Sequence, residues 1–257
     1  MAQRRSSGST NSGAKAASPQ KAVRARATKD GSGQLDGGRA RDREVIEAAV
    51  EIFWEKGYAN TSVQDVADRL GMLKGSLYYY INAKESLLVK IFDDSHSEIK
   101  SITDAALASD GTSLDRLTRF LFNYASWTLS HIKRAGLYSR EWRYASEDLR
   151  ASLIEHSRYY NRSLRTLILA CQEEGSIPPE VDARLAPNFI WAAFTALPDW
   201  FNPARDTEAS VAERYVGMAL GALCVTDSDA RTSSAAMTST ARSSSTASAR
   251  AANQSTT

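Results

Sequence analysis

The stretch TSVQDVADRLGMLKGSLYYYIN, residues 61–82, restricts what this chain can fold into more than any other. Val63, Val66, Ala67 and Leu70 recur at helical spacing and give a first short helix one apolar face. Thr61 with Gln64 three residues on has the pattern of a capping box that starts this helix. Gly71 stops it, because glycine takes the left-handed conformation that a C-terminal cap needs. A second helix is expected from about Lys74, with Leu77 and Ile81 inward and Lys74, Ser76, Tyr79 and Tyr80 outward. Two short helices about a glycine turn, the second with a polar and aromatic outer face, are the parts of a helix-turn-helix DNA reader.

Side-chain chemistry assigns roles along that outer face. Lys74 and Ser76 can reach base edges in the major groove, and Gly75 permits close approach to the duplex. Tyr78 and Tyr80 can donate to phosphates, and Tyr79 can contact a thymine methyl or a phosphate. Of the three tyrosines, Tyr78 is expected to be partly core. Thr61, Arg43 and Lys84 complete the candidate DNA-binding set, Lys84 because it opens the helix that follows the reader.

Residues 43–88 resemble the DNA-binding domain of the tetracycline-repressor (TetR) family. The resemblance rests on FWEKGYANTSV, then DVADRLG, KGSLYYYI and AKESLL, in that order and spacing. Two positions depart from the family pattern. Leu73 stands where a serine or threonine usually caps the recognition helix, and Ile81 where phenylalanine is usual. The resemblance implies a homodimer on near-palindromic double-stranded operator DNA, a phosphate-contacting lysine at Lys84, and release of DNA by a small molecule in the C-terminal domain.

Charge alone would not have found a DNA binder. The net charge is +2, but residues 1–43 carry ten basic and three acidic side chains, a net +7 that leaves −5 for the rest. Residues 44–90 hold five basic and seven acidic side chains, so the DNA reading rests on the motif. Residues 1–40 and 226–257 are rich in Ser, Ala and Thr with few large apolar side chains, and are expected to be unordered tails. The first is basic and could strengthen DNA binding through phosphates, with Arg39, Arg41 and Arg43 nearest the folded part. No run approaches the roughly 20 apolar residues of a membrane-spanning helix. Cys171 and Cys224 sit singly in apolar helical patterns, which suits a reducing cytoplasm.

The rest of the chain reads as helices without a convincing strand. A helix over 42–57 precedes the reader, a long one runs from 83 to about 108, and five more follow from 113 to 223. Tyr124, Trp127, Trp142, Tyr159, Phe189 and Phe194 are candidate lining for an apolar ligand site, with Arg162, beside Arg158 and Arg165, as an anion anchor. Phe194, Tyr215, Met218, Ala219 and Ala222 are the candidate dimer interface, thinned by Gly217 and Gly221.

Enzyme chemistry finds little support. His96, His131 and His156 lie on separate helices without metal-ligand spacing and are expected at the surface or in satisfied core positions. No phosphate-binding, dinucleotide or nucleophile-elbow motif occurs, and no cofactor, metal or catalytic residue is assigned. The expected architecture is all-α: a three-helix helix-turn-helix domain (41–88) on a larger C-terminal helical ligand-binding and dimerisation domain (89–225). The expected function is a ligand-responsive, sequence-specific transcriptional regulator, a repressor released by an apolar molecule. An acyl-CoA thioester is the leading effector, because GMLKGSLYY and NRSLRTLILACQEEG are similar to family regulators of steroid and fatty-acid breakdown. The alternatives are an activator, or a helical interaction module without ligand sensing.

Overall fold

The computed structural model describes residues 32–225, with side chains from residue 40 on. Its helices are α1 (Ser32–Lys56), α2 (Val63–Arg69), α3 (Lys74–Leu77), α4 (Lys84–Leu107), α5 (Ser113–Ser130), α6 (Ile132–Glu141), α7 (Glu147–Glu173), α8 (Ala186–Thr195), α9 (Leu197–Trp200) and α10 (Glu208–Ala222). A 3-10 turn, Trp142–Tyr144, joins α6 to α7. No strand occurs among the described residues, and none of their helices is long and apolar enough to cross a membrane.

Two expectations about ends are corrected. Residues 32–40, read as unordered tail, form the first turns of α1; residues 1–31 and 226–257 lie outside the described part. The cap of α2 is Ser62 and not Thr61: the Ser62 hydroxyl accepts from Asp65 N, and the Asp65 carboxylate accepts from Ser62 N at 2.8 Å. Thr61 is buried, and its hydroxyl donates to Gly57 O at 2.9 Å. The one-residue shift follows from Asp65 at the third helical position, where a carboxylate closes the box better than Gln64. Gly57 and Gly71 both end helices at positive φ, 78° and 62°.

Burial sorts the molecule into two apolar clusters. One joins α1, α2, Leu77 and Ile81 to the first turns of α4, and takes in Leu137 of α6 and Leu149 and Leu153 of α7. The other is built from α5, the second half of α7, α8 and α10. Helix α4 starts in the first cluster and ends in the second, unbroken at residue 88. Helix α6 is the second bridge. Gly136 lies so close to α1 that an added Cβ would come within 2.4 Å of the Trp54 ring.

Candidate functional site

Three features qualify: an exposed reading face, a cavity between helices and an apolar outer face. The reading face is α3 and the turn after it. Leu77 and Ile81 anchor it in the core, while Lys74, Gly75, Ser76, Tyr78 and Tyr79 are exposed. Tyr79 is 87% exposed, an unusual placement for a large ring without a partner surface. The half-buried tyrosine is Tyr80, packed on the core, and not Tyr78, which is exposed. Leu73 precedes α3 with no side-chain cap bond, as expected where serine or threonine is replaced. Arg43 is exposed on α1.

Lys84 is neither solvated nor free. Its ammonium donates to Tyr58 O at 2.8 Å and Thr61 O at 2.9 Å, and sits 4.3 Å from the centre of the Tyr58 ring. It ties the start of α4 to the loop before α2, with one of its three protons left over. Thr61 serves this tie through its carbonyl, while its side chain is buried and bonded to Gly57 O.

The cavity, of about 320 Å³, lies among α4, α5, α6, α7 and α8. Of the residues expected to line it, Tyr124 and Trp127 do. The others lie elsewhere. Trp142 is exposed beneath the Arg150 guanidinium, Tyr159 donates to Asp104, Phe189 is 65% exposed, and Phe194 is sealed in the second core. Arg158 pairs with Glu155 at the surface, and Arg162 and Arg165 are exposed. The arginine row is a solvated face and no anchor for this cavity.

Sequence reasoning missed the histidines. His96 of α4 and His156 of α7 stack in the cavity wall, ring centres 3.5 Å apart and planes within 3°. Tyr160 O–H lies 2.7 Å from His96 Nδ1. The residues are separated by two intervening helices, so no spacing rule on the chain could pair them. The available signal was apolar neighbours on both helices. Burial, with the charges of His156 and Lys100, pushes His96 down to about 4, and burial lowers His156 against the pull of Asp93. Neutral imidazoles in the fold against about 6.5 in the unfolded chain mean stability is full above about 6.5 and lost as pH falls toward 4. The melting temperature is expected to drop over that window, and His96→Gln to flatten the drop. Asp104 and Asp65, held low first by their lysine bonds, act at lower pH. An equal slope in the variant would contradict the assignment.

Helix α6 joins cavity to reading head. Arg134, Ala135 and Tyr138 line the cavity. Arg134 also reaches Glu47 of α1, and beside it Lys133 pairs with Glu51 of α1 and Glu141 accepts from Tyr58 N at 3.3 Å. The Arg140 guanidinium lies 4.1 Å from the centre of the Trp54 ring.

The outer apolar face comprises α8, the end of α9 and α10. Phe189, Met218 and Trp200 are exposed, and Gly217, Gly221 and Ala222 leave α10 thin there. Two residues expected at an interface are not on this face: Phe194 and Ala219 are buried in the second core. Tyr215 is half-buried and stacks on Trp200 at 5.5 Å.

Comparison with known proteins gives the same two parts. Residues 45–91 match the family model of bacterial regulatory proteins of the tetR family, and residues 110–223 the tetracyclin repressor-like C-terminal domain. An HTH-type transcriptional repressor of Rhodococcus jostii, KstR2, is 28% identical over 193 residues, 73% of this chain and 93% of that protein. A bacterial regulatory protein of the tetR family from Rhodococcus RHA1 superposes with a TM-score of 0.67 at 27% identity, covering 72% of this chain and 98% of that one. The fold is also that of AibR, solved with isovaleryl coenzyme A and operator DNA, at TM-score 0.63, 24% identity, and coverage of 69% and 97%. The two family models together take in more than half of the chain, which belongs to the tetracycline-repressor family and is a DNA-binding transcriptional regulator and no enzyme.

Proposed function

We propose that this protein is a homodimeric repressor that leaves its operator when a small apolar molecule enters the cavity, with an acyl thioester as the leading effector. The observation that carries this is α6, one helix that is both cavity wall and clamp on α1. A ligand that fits better when α6 shifts favours a state in which the two heads no longer match their half-sites. The cavity suits an acyl chain or ring system; the nucleotide of a coenzyme A would lie outside it. The Rhodococcus relative is a repressor, and AibR binds isovaleryl coenzyme A. The test uses a duplex selected from a random library by the purified protein. Acyl-CoAs, free acids and steroids are compared for melting shift and for release of that duplex. Melting shifts without release by any compound would sink the repressor mechanism.

The reading face carries its own test. Lys74→Ala should lower affinity and change base preference, because its ammonium lies on the exposed side of α3. Lys84→Ala should weaken binding about tenfold at every sequence and lower the salt slope by about one, through its remaining proton on a phosphate. An unchanged salt slope with reduced affinity would make Lys84 a brace for the α1–α2 loop alone.

A further inference from the structure

The polar groups of the cavity wall fall into two sets. Most are satisfied within the protein. Tyr138 O–H donates to Leu153 O at 3.2 Å, Thr195 O–H to Trp191 O at 2.7 Å, and Asn161 Nδ2 to Ser157 O at 3.1 Å. Trp127 Nε1 donates to Glu98 at 2.8 Å. Three are not: Trp191 Nε1, His156 Nδ1 and Thr128 Oγ1 are buried without a hydrogen-bond partner among the described residues. A buried donor left unpaired is costly, and such atoms mark places where a ligand completes the bonding. Trp191 Nε1 can only donate, so its complement is an acceptor. His156 holds Ser152 Oγ at 3.3 Å with Nε2, which leaves Nδ1 as donor or acceptor.

Charge narrows the ligand further. Arg134 is the one cation in the wall among the described residues, and it is already held by Glu47 and by Glu98 at 3.6 Å. Asp94 lies near it, its carboxyl raised by burial and then, against the pull of Arg134, by Glu98 and Asp93. Lys100, the other cation acting on the wall through His96, is paired with Asp104 at 2.5 Å, so an anion entering here meets no unpaired cation among the described residues. The stacked histidines add none, since burial keeps both low.

We propose that the cavity selects an uncharged apolar group carrying a carbonyl-type oxygen, anchored by the Trp191 indole N–H with His156 Nδ1 as the second polar contact. This deepens the effector reading above and rests on it. Tyr124 at 4.7 Å from the Trp191 ring, with Ile99 and Ala135, supplies the apolar body of the site. A thioester carbonyl meets the requirement; a free carboxylate does not.

The test compares one skeleton in three forms on the full-length protein: 2-decalone, decalin and decalin-2-carboxylate, at pH 7. Binding is read by quenching of tryptophan fluorescence and by melting shift, and operator release separately. The ketone is expected to bind about tenfold more tightly than the hydrocarbon and at least about tenfold more tightly than the carboxylate. Trp191→Phe should remove the ketone's advantage and leave decalin within about twofold. The ligand series on the unaltered protein stands even if that variant fails to fold. Carboxylate binding as tight as ketone, no ketone binding, or equal losses for ketone and decalin in Trp191→Phe would each overturn the proposal. Ketone binding without operator release supports the ligand class and breaks the repressor reading. Operator release by the carboxylate alone does the reverse.

Discussion

An arginine at Gly221 is expected to leave the protein folded, separate it into monomers and lower operator affinity about a hundredfold. Gly217 and Gly221 lie four residues apart within α10, exposed, with nothing within 4 Å of where a Cβ would stand. In a monomer each glycine costs about 1 kcal/mol of helix stability relative to alanine and gains nothing. That cost makes sense where a second helix packs closely on the same face, beside the exposed Met218 and Ala222. A long charged side chain there would be buried unpaired in a dimer and solvated in a monomer. The loss of DNA affinity follows because the second head no longer binds at high effective concentration. Gly217→Ala is the contrasting variant, with higher helix stability and a weaker dimer. Light scattering at micromolar concentration gives the mass, and titration of the selected duplex gives the affinity. A Gly221→Arg protein that remains dimeric would place the dimer face elsewhere, and an unaltered protein that is monomeric would overturn the dimer itself. A charge at Ala219 would not serve, because Ala219 is buried in its own chain's core.

The reading head was legible because its signals are local. Helix period, the glycine at 71 and the order of motifs from Phe53 to Leu88 all act within a few turns of chain. Where a local rule was ambiguous the error was one residue or one ring: Ser62 for Thr61 as cap, and Tyr80 for Tyr78 as the half-buried tyrosine. The cavity was not legible in the same way. Aromatic residues at helical spacing announce burial without saying whether they face a neighbour or a void. Tyr124 and Trp127 line the cavity, while Phe194, equally apolar and helical, is sealed in the core. The polar wall depends on contacts across the bundle. His96 meets His156, and Arg134 meets Glu47, over separations that no periodicity measures. Regular spacing suggested the arginines of α7 instead, and regular spacing on a long helix is also what a solvated face has.

The same long-range packing yields the second large effect, at Gly136. A methyl group there would stand 2.4 Å from Trp54 Cζ3, 3.0 Å from Cη2 and 3.3 Å from Pro198 Cβ, so α6 and α1 cannot keep their present distance. Trp54 has little room to yield, because the Arg140 guanidinium covers its ring and Lys133 and Arg134 hold α1 on the same side. Gly136→Ala is expected to destabilise the protein by about 1–3 kcal/mol, the usual range for overpacking. More tellingly, it should tilt the head against the body and weaken operator binding by about tenfold or more, while ligands of the cavity still bind. The variant would then resemble the effector-bound state without effector. Trp54→Ala in the Gly136→Ala background opens the space again and should recover part of both losses, giving a coupling between the sites of about 1 kcal/mol or more. The cycle separates a steric clash at this contact from a general loss of fold. If Gly136→Ala bound the operator as tightly as the unaltered protein and released it at the same ligand concentration, α6 would not be the link between cavity and DNA. The bridges from Lys133, Arg134 and Glu141 to α1 would then be static fastenings, and α4, which also runs from one core to the other, would be the helix left to carry the signal.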